Sequence, residues 1–124
     1  MNHSAIRSLF NEQSKTKQKL GTVDCVSFVA EALFVGWGRD YRDVLQYKDR
    51  RTAVKRLREL GGLQKACTFA MGPMYSVDEL NKGDVIWFDK PATIGLLMDG
   101  YVACKLGNTI HRFKVEPQMI GWKS

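Results

Sequence analysis

An α+β domain is what the residue pattern predicts, with helices in the first part of the chain and an antiparallel β meander in the second. Up to Gly72-Pro73 the apolar residues recur at helical spacing; beyond it they fall into short runs separated by glycine turns. Helices first and strands second, rather than in alternation, is the pattern of an α+β domain. The size agrees, because 124 residues can close a single core without disulfides or metals. A composition with 44% hydrophobic and 26% charged residues argues against disorder.

The elements follow in order. Ile6, Leu9 and Phe10 sit at helical spacing ahead of a lysine-rich stretch, so residues 1–20 read as an N-terminal helix or arm and residues 21–124 as one domain. After Gly21, either Thr22 or Asp24 can cap a second helix. Val26, Phe28, Val29, Ala32 and Leu33 make that helix apolar on most faces, hence buried, and Gly36 and Gly38 are expected to end it. In "YKDRRTAVKRLRELGG" Asp49 is the expected cap, Ala53, Val54, Leu57 and Leu60 form one apolar stripe, and Gly61 is the stop. "LQKACTFAM" reads as a second short helical turn closed by Gly72-Pro73. "GDVIWFD" reads as a buried strand, and "TIGLLMD", "YVACKL" and "TIHRFKV" as a meander turning at Gly100 and Gly107-Asn108. "MIGW" is expected to add an edge strand.

Charge and cysteine content narrow the chemistry. The formal net charge is +6, and residues 39–58 hold eight basic against three acidic side chains. On a helical wheel Arg51, Lys55 and Arg58 fall opposite the apolar stripe, either as a solvated face or as a patch for an anionic partner. Cys25, Cys67 and Cys104 are widely spaced, with no C-x-x-C pair and no Cys/His cluster. That excludes a zinc-finger spacing and a disulfide framework, and no motif implies a cofactor. Cys67 and Cys104 read as buried packing. Cys25 differs, because it opens a helix. There it faces unpaired backbone N–H groups and the positive end of the helix dipole, both of which favour a thiolate nucleophile. Of the two histidines, His3 reads as exposed, and His111, on the third meander strand, as either an ordinary strand residue or a base that swings toward Cys25. Asp24 and Asp84 read first as a helix cap and a strand start. Trp37 and Tyr41, in the glycine loop, either cover the core or line a groove.

The order of these parts resembles the NlpC-type cell-wall cysteine peptidases, which are papain-like. Their Asp-Cys-Ser-Gly-Phe-Val motif is similar to Asp24-Cys25-Val26-Ser27-Phe28-Val29, and their Gly-Asp strand to Gly83-Asp84-Val85-Ile86-Trp87-Phe88. Their His-Val-Gly-Ile strand is similar to Thr93-Ile94-Gly95-Leu96. The likeness is closer to a group of phage and prophage tail-region proteins of uncharacterised function. It runs over about residues 20–122 and includes the arginine-rich helix ending in "GGL" and Trp122. The resemblance implies an NlpC-like domain with Cys25 in the nucleophile position. The histidine position is taken by Thr93, and the residue that would orient the histidine falls near Ala103. A threonine hydroxyl does not take up a proton near neutral pH, so the base is missing.

Three functions compete. One is a phage virion or tail-associated protein with a degenerate peptidase fold, which binds other virion or tail proteins. Another is an active cysteine hydrolase of peptidoglycan, with Cys25 as nucleophile and His111 as base. The third is a module binding DNA or another anion through Arg51, Lys55 and Arg58. All three imply synthesis in the host cytoplasm and the first implies residence in the virion. The N-terminus has no apolar signal core, and no apolar run approaches the roughly 20 residues of a membrane helix.

Overall fold

The computed structural model describes residues 1–14, 25–45, 50–89, 92–107 and 109–124. Helices occupy the first part of the chain and six strands the second, so the molecule is α+β. The helices are α1 (His3–Gln13), α2 (Cys25–Trp37), α3 (Arg42–Leu45), α4 (Arg50–Leu60) and α5 (Leu63–Met71). The strands are β1 (Met74–Ser76), β2 (Val85–Asp89), β3 (Ala92–Leu97), β4 (Tyr101–Leu106), β5 (Thr109–Lys114) and β6 (Ile120–Trp122). They form one antiparallel sheet in the order β1-β6-β2-β3-β4-β5.

α2 is the central helix because it is apolar nearly all round. Phe28, Val29, Ala32 and Leu33 are at most 1% exposed and pack, with Val85, Ile94, Leu96 and Ala103 of the sheet, into the main core. α1 starts at Asn2, whose side chain accepts from Ala5 N at 3.0 Å, and buries Ile6, Leu9 and Phe10 in the same core. The N-terminal segment is thus a docked helix rather than a free arm. Gly36 does not end α2 as expected. It lies inside the helix, where Ile6 crosses so closely that a Cβ would come within 2.6 Å of Cδ1. Gly38, at φ +69°, makes the stop, and its N–H donates to Phe34 O.

α3 follows no apolar stripe. Asp40 starts it by accepting from Arg42 N at 3.1 Å and from the Arg42 guanidinium at 2.9 Å, and those bonds hold its carboxyl down at about 2. The expected caps Thr22, Asp24 and Asp49 lie outside the described residues, as do the side chains of Ala53 and Val54. Leu57 and Leu60 of the stripe are half-buried, and Gly61 ends α4 at φ +86°.

β3, β4 and β5 form the expected meander. β6 is not the edge strand that was expected; it inserts between β1 and β2. It can do so because Gly121 has no side chain, since a Cβ there would collide with the carbonyl oxygen of Val85. The sheet is apolar on both faces, as its second face carries a smaller core of Val77, Leu80, Ile86, Leu97 and Val102.

Candidate functional site

Cys25 is the first residue of α2, and its side chain is half-buried against the main core. At this position the first backbone N–H groups of the helix have no intrahelical acceptor. α2 packs on β3, and this brings Cys25 to Thr93, the second residue of that strand. Thr93 Oγ1–H donates to Cys25 Sγ at 2.5 Å, and Thr93 is 6% exposed. The structure thus brings together Cys25 and Thr93, the residues at the positions that the resemblance implies for nucleophile and histidine. At the base position it holds a hydroxyl that gives a proton to a hydrogen bond instead of accepting one.

The other two cysteines belong to the same place. Cys104 Sγ donates to Ile94 O at 3.4 Å, and the Thr93 hydroxyl lies near enough to ease the charged form of the Cys104 thiol. Burial pushes the Cys67 and Cys104 thiols up to about 12, and the neighbouring Cys25 sulfur adds to both shifts by opposing a second negative charge. Both therefore stay protonated at neutral pH and are not nucleophiles. Cys104, not Ala103, is the β4 residue that touches Thr93. Ala103 pairs with Leu96 and fills the core. That Cys67 and Cys104 gather at Cys25 was not visible from spacings of dozens of residues.

His111 is elsewhere. It stands opposite Cys104 in the β4–β5 ladder, but its ring nitrogen lies 3.0 Å from Thr109 Oγ1 and its ring stacks on Phe113. It is exposed, and its contacts run along its own strand rather than to Cys25. Asp84 is structural. Its buried carboxylate accepts from Asn81 N at 2.7 Å and Ser124 N at 3.0 Å, which fixes the turn ahead of β2. Trp37 covers the core and lies so close to Gly83 that no side chain fits there. Tyr41 packs on the same core.

Arg51, Lys55 and Arg58 are exposed along one side of α4. Arg56, on the same helix, sits 3.8 Å from Glu59. Among the described residues no group of three or more His, Cys, Asp or Glu side chains could hold a metal ion. Nor is any described helix long and apolar enough to cross a membrane.

The chain belongs to a family described only as a domain of unknown function (DUF6950), whose match spans residues 2–123. Comparison with curated proteins and with solved structures returns no match.

Proposed function

We propose that this protein is a phage virion or tail-associated component with a degenerate cysteine-peptidase fold, which binds partner proteins of the particle rather than cleaving a substrate. The observation that carries this reading is the Thr93–Cys25 hydrogen bond. A papain-like enzyme needs, next to its thiol, a group that takes the thiol proton and returns it to the leaving group. Here that place is filled by a buried hydroxyl, and Ala103, near which the orienting residue would fall, is a core alanine. The phage assignment rests on the sequence resemblance over about residues 20–122.

The test has two arms. Purified protein incubated with peptidoglycan fragments between about pH 5 and pH 9, and followed by mass spectrometry, is expected to leave them intact. Cys25→Ser in a phage encoding this chain is expected to assemble and infect normally. Cleavage that disappears in Cys25→Ser and in His111→Ala would establish the hydrolase instead.

A second reading draws on the exposed basic side of α4. Binding of duplex DNA through Arg51, Lys55 and Arg58 would weaken steeply as salt rises and would vanish in the triple alanine variant.

A further inference from the structure

We propose that a basic pocket between α1 and the sheet binds a phosphate monoester. The pocket has a volume of about 230 Å³ and lies where α1 meets the β3–β4 turn and β5. Met98 and Tyr101 border it at the far end of β3 from Thr93, so it is separate from the thiol site and independent of the function proposed above.

Its wall is cationic. His3 and Arg7 reach it from α1, Lys82 from the turn before β2, and Arg112 from β5. Lys82 is already matched, with Nζ 2.7 Å from Asp99 Oδ2. Arg7 and Arg112 have no carboxylate partner among the described residues. The Arg112 guanidinium carbon lies over the Tyr101 ring, 5.4 Å from its centroid, a cation–π contact that helps hold the group beside the pocket. Two unmatched guanidiniums thus border one small pocket, with the Asn11 amide as a neutral partner.

The forked donors suit the ligand. Two unmatched guanidiniums, with Met1 of the N-terminus also on the wall, suit a phosphate monoester, which carries about −1.5 to −2 near neutral pH and presents three acceptor oxygens. A carboxylate or a phosphodiester brings one negative charge and leaves one guanidinium unmatched. The volume suits the choice as well, since a water occupies about 30 Å³ and the pocket therefore holds a phosphoryl group together with a small organic group. The apolar part of that group would rest on Phe10 and Met98, which also line the pocket.

Phenyl phosphate is the probe, titrated calorimetrically at low ionic strength. A single saturable site is expected. Arg7→Ala and Arg112→Ala are each expected to weaken it about tenfold, the loss of one charge-assisted pair. Arg112→Lys should recover only part of that loss, because it restores the charge without the fork. The Arg51→Ala, Lys55→Ala, Arg58→Ala triple variant is expected to bind as the parent does. Both pocket arginines are exposed, so these variants should fold. Amide NMR shifts of the unaltered protein give a second readout, expected on α1 and β5. Failure to saturate, equal affinity for dimethyl phosphate or benzoate, shifts centred on α4, or loss only in the α4 triple variant would each overturn the proposal.

Discussion

Thr93 gives the Cys25 sulfur a hydrogen-bond donor and withholds a proton acceptor. Thr93→His supplies one at the same place, so the variant's Cys25 is expected to alkylate at neutral pH at least about tenfold faster than the parent's. Equal rates in the two proteins would mean that position 93 is not oriented to serve the thiol. Cys67 and Cys104 make a different prediction. In the fold both thiols titrate at about 12, above the ordinary 9.0. The folded state therefore keeps protons that the unfolded chain releases. The stability they contribute is complete below pH 9 and is lost as pH rises toward 12, by up to about 1.4 kcal/mol per pH unit for each thiol. Urea titrations across that range should show the decline, and Cys67→Ala, Cys104→Ala should show a shallower one. Cys25 stood out in the sequence because a thiol that opens an apolar helix is a local feature. The gathering of Cys25 and Cys104 at one hydroxyl was not legible, because it depends on how α2 meets β3 and on β4 lying beside it.

The elements divide along the same line. α1, α2, α4, α5 and β2 to β5 follow apolar periods and glycine stops that each span enough residues to register. β1 and β6 have three residues each; β1 is too short to show a period, and β6, legible as a strand in "MIGW", gave no sign of its place inside the sheet. They exist because they pair with each other, Met74 opposite Trp122, across more than forty residues of chain. α3 has no stripe, only the Asp40 turn. Two glycines separate what the helices and the sheet tolerate. At Gly36 the neighbours are Cδ1 and Cγ1 of the buried Ile6, so alanine sets about 1 kcal/mol of helix propensity against a displaced core side chain and Gly36→Ala should cost about 1 kcal/mol net. At Gly121 the neighbour is Val85 backbone, which cannot step aside. Gly121→Ala is expected to lose about 3 kcal/mol or more in chemical denaturation. A small loss at Gly121 would mean that β6 is held mainly by Trp122, whose Nε1–H donates to Thr68 Oγ1 at 3.0 Å.

For the molecule as a whole, the net charge of +6 is unevenly placed. α4 presents Arg51, Lys55 and Arg58 together on an exposed side, whereas Lys65, Lys114 and Lys123 are exposed at scattered places. Three positive charges in one patch raise the local potential more than three dispersed ones. Removing the α4 set should therefore lower the salt needed to elute the protein from heparin by more than removing the dispersed set does. Equal shifts would mean that only total charge matters.

The placement of β6 also bears on how the chain is made. A ribosome releases residues 74–76 and 85–89 well before 120–122, yet both earlier segments flank the last one in the sheet. Until Ile120–Trp122 are in place, β2 keeps one open edge and residues 74–76 have no strand to pair with. Open edges recruit strands from other chains. A released chain that lacks residues 120–122 is therefore left with an unprotected β2 edge, and a second such chain is the most available wrong partner for it.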